Sequence, residues 1–294
     1  MKADIYQEVT NSIIEALEKV SLEDYNAPFA RLTAELSPIN PVTEKDYHGI
    51  NTLILWLQQQ ASGFKSNEWG TFKQWKQKGA NVKKGEKSSM IIFYKRVEKK
   101  DEIKGSEEPE FYNCLKSYRV FNADQIEGYE PTITRETGDF GTVERIAEIE
   151  KFVTHTGAVI KEDQNRASFS PVADEINMPP KDLFFDNGQS ATENYYAVLL
   201  HELTHWTGGK SRLDREQVGH NTDEKKYAFE ELIAELGSAF LCFHFRIKQH
   251  GRDDHATYIK SWLQALKNDK KFIFKAASQA QKATDFLHGL NQDQ

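Results

Sequence analysis

The residues best suited to chemistry in this chain are His201-Glu202-Leu203-Thr204-His205. On a helix, two histidines four residues apart lie on one face and can share a metal ion, while the glutamate beside the first can reach a water at that ion. The surroundings predict such a helix. Residues 191–207 contain neither proline nor glycine, Ser190 or Thr192 can cap the start, and Gly208-Gly209 can stop it. A catalytic metal also needs a third protein ligand and one position open to water. A third histidine six residues after the second would supply it, but position 211 is serine. The ligand is therefore expected further on, in a long helix over 223–248 where Glu230, Glu231 and Glu235 interrupt a face of Leu232, Ile233, Leu236 and Phe240. Glu231 and Glu235 are four apart and can enter one site. Glu231 reads as the third ligand and Glu235 as the carboxylate that holds a ligand histidine's outer N–H. Glu230, about 100° further around the helix, is the competitor. Glu202 then has the role of general base, and the ion is expected to be zinc, with manganese or cobalt also suited to two histidines and a carboxylate. Tyr195, Tyr196 and Tyr227 are within reach of an oxyanion role, although packing is the preferred reading of each, and His220 reads as an exposed loop residue.

The elements that must position these groups can be read coarsely. The 294 residues hold 38 Lys+Arg against 45 Asp+Glu, a net charge of -7, and suffice for two domains of ordinary size. No run approaches the roughly 18 apolar residues of a membrane helix, and the polar opening Met1-Lys2-Ala3-Asp4 lacks a signal core. Cys114 and Cys242 lie far apart, so neither a disulfide framework nor a cysteine metal site is expected, and a reducing cytoplasm fits best.

The net acidity argues against nucleic acid until the charge is divided along the chain. Residues 1–64 hold 4 basic and 9 acidic side chains, residues 101–294 hold 23 and 33, and residues 65–100 hold 11 basic against 3 acidic. That basic window interleaves Phe64, Trp69, Phe72, Trp75, Phe93 and Tyr94 with Lys73, Lys76, Lys78, Lys83, Lys84 and Lys87. Rings that stack on bases beside cations that follow phosphates are what a single strand requires. Trp69, Phe72, Trp75 and those six lysines are the candidate contacts, the competing reading being that the rings are core and the lysines solvate an outer face. Helices are expected over 4–20 and 50–60, a short helix over 69–79, a turn over 81–87 and a buried strand over 89–94. A loop or hairpin tip at Glu107–Glu110 and a strand over 111–121 follow. The turn-rich stretch through Gly128, Pro131, Gly138 and Gly141 is the best linker. The expected organisation is α+β, with a single-strand-binding domain over 1–130, a linker over 131–141 and a metallopeptidase domain over 142–294.

With these residues assembled, the chain resembles the ArdC-type antirestriction proteins. In the N-terminal part the resemblance rests on Tyr47-His-Gly-Ile-Asn51, Trp69-Gly-Thr-Phe-Lys-Gln74, Val82-Lys-Lys-Gly-Glu-Lys87 and Val120-Phe-Asn-Ala-Asp-Gln-Ile126. In the C-terminal part it rests on Asp174-Glu-Ile-Asn-Met-Pro179, Tyr195-Tyr196, His201 through Gly208 and Ser211-Arg-Leu-Asp-Arg215. The resemblance implies a single-stranded-DNA-binding N-terminal domain joined to a zincin-like metallopeptidase domain, protection of incoming plasmid DNA during conjugation, and a DNA-associated protein as possible substrate, with no membrane partner. A metal helix followed by a carboxylate pair on the next helix is also similar to glutamate-type zincins. The related proteases that clear DNA–protein crosslinks use a third histidine, from which Ser211 departs. By the same resemblance Asp174–Pro179 is expected to be an edge strand beside the metal cleft, where a peptide can add.

Overall fold

The computed structural model describes residues 4–23, 37–98, 111–131, 142–186, 190–216, 223–247 and 255–291. Their architecture is a two-unit mixture of helix and sheet, as the sequence predicts. The linker beyond Pro131, the loop at Glu107–Glu110 and His220 lie outside the described residues.

One unit contains β1 (Ile39–Asn40), β2 (Lys45–Asp46), α2 (Ile50–Ser62), β3 (Trp69–Thr71), α3 (Phe72–Gln77), β4 (Asn81–Val82), β5 (Ser89–Glu98), β6 (Phe111–Asn122) and β7 (Ile126–Glu127). Its main sheet is antiparallel in the order β3-β6-β5, with Thr71 and Ser89 both paired to Val120. Leu55 of α2 packs with Trp69 and Val120 as the core on one face. The Asn51 side-chain amide donates to the Ile92 carbonyl at 2.7 Å and its oxygen accepts from the Ile92 N–H at 2.8 Å, which covers part of the edge that β5 would otherwise leave unpaired. The helix expected over 69–79 is shorter than the reading, because its first three residues pair with β6 as a strand. Thr71 then caps α3 in a reciprocal box with Gln74.

The second unit contains α1 (Ile5–Glu23), α4 (Thr142–Thr156), β8 (Val159–Lys161), β9 (Ser168–Ser170), β10 (Glu175–Asn177), α5 (Ala191–Trp206), α6 (Glu224–His244), α7 (His255–Asn268) and α8 (Phe272–Gly289). By its contacts the N-terminal helix groups with the helical unit. Its stripe of Val9, Ile13 and Leu17 is buried, Tyr6 meets Phe274 edge-on at 4.8 Å, and Thr10 donates to the Lys270 carbonyl at 2.8 Å.

A second expectation is corrected by the small sheet of this unit. Its order is β8-β10-β9, with β10 parallel to β8 and antiparallel to β9. Glu175–Asn177 is thus the central strand, both its edges are occupied, and no peptide can add there. Asp174, at φ 54, makes the reversal that brings β10 back beside β9.

Helix α5 is buried nearly all around, from Tyr195 through Trp206, between the small sheet and α6. Ser190 caps it reciprocally with Glu193, and Asp223 caps α6. The two helices approach closely because position 237 is glycine: a Cβ there would run into the Thr204 side chain. No helix among the described residues is long and apolar enough to cross a membrane.

Candidate metal centre

The close crossing of α5 and α6 brings His201, His205 and Glu231 together, with one ligand atom of each within 4.8 Å of the others. His201 Nε2 and His205 Nε2 each lie 3.6 Å from a Glu231 carboxylate oxygen. Ligands bound about 2.0–2.1 Å from a tetrahedral ion are spaced at roughly 3.4 Å. The spacing seen therefore fits three first ligands of one small cation better than a set of direct hydrogen bonds.

The outer ring nitrogens are held as well. His201 Nδ1 lies 3.2 Å from Glu235 Oε1, and His205 Nδ1 lies 3.1 Å from Glu230 Oε1. An ionised carboxylate can only accept, so against one the ring proton sits on Nδ1 and the Nε2 lone pair is left turned towards Glu231. Glu230 thus sits against the outer nitrogen of His205 as Glu235 sits against that of His201.

Arg215 explains how Glu230 is fixed. Its Nε donates to Glu230 Oε2 at 2.9 Å and Nη2 to Oε1 at 2.6 Å, while Nη1 donates to Thr207 Oγ1 at 2.7 Å and Nη2 also to the Thr204 carbonyl at 2.8 Å. Burial opposes ionisation of Glu230, but the hydrogen bonds from His205 and Arg215 and their charges outweigh it and hold the carboxyl below its ordinary range. The role of Arg215 was not readable from its position in the motif Ser211 to Arg215, since nothing in spacing says that a residue ten after His205 folds back under it. Glu202, Glu230, Glu231 and Glu235 are all buried here, and Arg215 is buried with them. Such an excess of buried negative charge suits a divalent cation.

The loop after α5 is tied down separately. Arg212 lies over the Trp206 ring at 3.9 Å and pairs with Asp174 through both guanidinium ends, one at 2.9 Å, and Gly209 gives the guanidinium room. Tyr195 and Tyr196 are buried and donate to Glu162 and, at 2.6 Å, to Glu150, and burial with those carboxylates raises both phenol pKa values. Both hydroxyls are engaged by these carboxylates. Tyr227, one turn before Glu231 on α6, is largely exposed.

The basic window divides in two. Trp69 and Trp75 are fully buried and are removed from the candidate contacts. Trp69 packs in the sheet core, and Trp75 lies against Gly70 while its Nε1–H donates to the Phe121 carbonyl at 3.0 Å. Both are β3 and α3 residues turned inward, and a base could reach them only if the unit opened. Phe72 and the lysines at 73, 76, 78, 83, 84 and 87 are exposed. Lys76 hydrogen-bonds Asn81 and lies 5.8 Å from the Phe72 ring, and Lys83 donates to the Asp124 carbonyl at 2.8 Å.

Two family models match the chain: the N-terminal domain of anti-restriction factor ArdC over residues 3–121 and a zincin-like metallopeptidase over residues 147–279. The metal-free crystal structure of antirestriction protein ArdC from plasmid R388 is 40% identical, with a TM-score of 0.80 over 99% of this chain and 98% of that one. This chain belongs to the ArdC antirestriction family. The Mn(II)-bound structure of the R388 ArdC superposes with a TM-score of 0.78. Protein y4eC of Sinorhizobium fredii is 38% identical over 99% of this chain and 93% of its own length. DNA primase TraC of Escherichia coli is 35% identical along the whole chain, which spans only 28% of that primase. In this ArdC-family chain the candidate metal centre falls inside the zincin-like match and the basic window inside the ArdC N-terminal match.

Proposed function

We propose that this protein is an antirestriction metallopeptidase recruited to single-stranded DNA: the basic window holds the strand, and the α5–α6 centre cuts a protein found on it. In the cell this would protect incoming plasmid DNA during conjugation, in the cytoplasm. The observation that carries the catalytic half is the convergence of His201, His205 and Glu231 with each histidine's outer nitrogen on its own carboxylate. A structural metal site would have no use for a further acid, yet Glu202 follows His201 directly and is buried beside it.

In this reading His201, His205 and Glu231 hold a divalent ion, for which zinc is the proposed occupant and the Mn(II)-bound R388 relative is a precedent. When bound, such an ion lowers the pKa of a water and polarises the scissile carbonyl. Glu202 accepts the water proton and later delivers it to the leaving amine. Glu235 and Glu230 keep both imidazoles in the tautomer that presents Nε2, and Arg215 keeps Glu230 ionised and in place.

The test is Glu202→Gln, measured for metal content, proteolysis and protection in a conjugation assay. The expected variant retains its metal and its affinity for single strands while losing both proteolysis and protection. Full protection by Glu202→Gln would leave strand coating as the function and remove the enzymatic reading.

A further inference from the structure

We infer that single-stranded DNA stacks on the open end of the β3-β6-β5 sheet, on Phe93 and Tyr118, and not on the tryptophans of the basic window. This rests on the single-strand reading above and assigns its base-contacting residues.

Strand register defines the place. Opposite Ser89 and Thr71 the sheet is three strands wide at Val120; β3 then ends, α3 leaves from Phe72 at the level of Arg119, and only β5 and β6 continue. Ser89, Ile91 and Phe93 share a face with their partners Val120, Tyr118 and Lys116, because directly paired residues point the same way. Along that face burial falls away in order. Val120 is core, Ile91 is half-buried against it, and the next residues out are Tyr118, 45% exposed, and Phe93, 55% exposed. Their rings meet edge to face with centroids 6.3 Å apart at 83°. Phe72, 53% exposed, is a further large apolar side chain that this unit leaves in water. Single exposed rings are ordinary, but two that meet at the open end of a sheet form a surface suited to a partner.

The partner's chemistry follows from the charge. Segments 72–77, 89–93 and 115–121 carry Lys73, Lys76, Lys116 and Arg119 and not one Asp or Glu. Lys116 stands directly across the ladder from Phe93, and Lys76 lies 5.8 Å from the Phe72 ring. Exposed rings in segments that carry cations and no carboxylate fit a polyanion whose planar groups are free to stack. A duplex hides its bases; a single strand offers them.

The test is binding of a 15-nucleotide oligo(dT), and of a duplex of the same length, to the full chain by fluorescence anisotropy over a range of salt. Phe93→Leu with Tyr118→Leu keeps apolar bulk at two exposed positions and removes the π faces, so far-UV circular dichroism should not change. The double variant is expected to bind oligo(dT) about 10–100-fold more weakly, with the slope of log K against log salt unchanged because no phosphate contact is lost. Reversal of Lys73, Lys76, Lys83 and Lys84 to Glu should flatten that slope instead. Wild-type affinity in the double leucine variant, alongside a loss in the lysine-reversal variant, would overturn the stacking assignment and leave the single-strand reading standing. Equal binding of duplex and oligo(dT) by the wild type would overturn stacking in favour of charge alone. If the wild type bound neither, both readings would fall together.

Discussion

The metal centre and the basic window are both polar and built largely around helices, but they handle burial in opposite ways. At the centre Glu230, Glu231, Glu235, Glu202 and His201 are buried, and Arg215 and the outer carboxylates hold the two histidine rings. Around the window the lysines stand in water, and the rings split between the core, with Trp69 and Trp75, and the surface, with Phe72. The difference follows from the work proposed for each. A metal site needs several atoms fixed to a few tenths of an ångström, which only a buried, mutually bonded set provides. A surface for a flexible polyanion needs accessible charge and ring faces, and tolerates loose placement.

The comparison can be broken most directly at Arg215. Removing one partner of a buried ion pair leaves the other charge uncompensated, so Arg215→Ala should cost about 3–5 kcal/mol in chemical denaturation. A loss of less than about 1 kcal/mol, the scale of an exposed pair, would erase the contrast with the surface lysines.

Acid should sharpen it next. His288 stacks against His244 with centroids 4.5 Å apart, and burial first, then the neighbouring His244, lowers its pKa to about 4, against a smaller opposing effect of Asp285. Because the folded pKa lies below the ordinary value of about 6.5, the unfolded chain takes up the proton first, so this contribution to stability is complete above pH 6.5 and is lost as pH falls towards 4. The sheet unit, spanning 38–47 and 51–131, contains no histidine. A loss of about 1–3 kcal/mol between pH 6.5 and 4, reduced from the full linkage value for partial exposure, should therefore appear in helix signal and shrink in His288→Leu. A pH dependence unaltered in that variant would assign the effect elsewhere.

The smallest effect is expected at Trp75. Trp75→Phe gives up the hydrogen bond to the Phe121 carbonyl and should lower stability by about 1–2 kcal/mol. Its affinity for oligo(dT) should stay within about twofold of wild type, far less than the loss of one base stack. A tenfold drop would return the tryptophan to the binding surface.

Legibility differed between the regions for the same physical reason. A helix repeats every 3.6 residues, so His201, His205, Glu231 and Glu235 could be placed on common faces from their spacing alone, and the caps at Ser190 and Asp223 bounded both helices. A strand alternates, and which face is covered depends on what packs over it. Nothing in Trp69-Gly-Thr-Phe-Lys-Gln-Trp75 distinguishes the buried tryptophans from the exposed phenylalanine until β3 pairs with β6 and α2 covers one face. The central position of Glu175–Asn177 was hidden likewise, because strand order is a property of three segments and not of one.

The sequence by itself determined the mixed helix and sheet class, the metal helix, the exclusion of a third histidine at Ser211, and the concentration of cations between residues 65 and 100. Each of these is local, expressed over one or two turns or in a composition window. Only the tertiary structure decided that α1 joins the helical unit, that Glu230 supports His205 through Arg215, and which rings face water. Those outcomes depend on contacts between segments far apart in the chain, such as the approach of α5 and α6 that Gly237 permits, and burial is settled only when such segments meet.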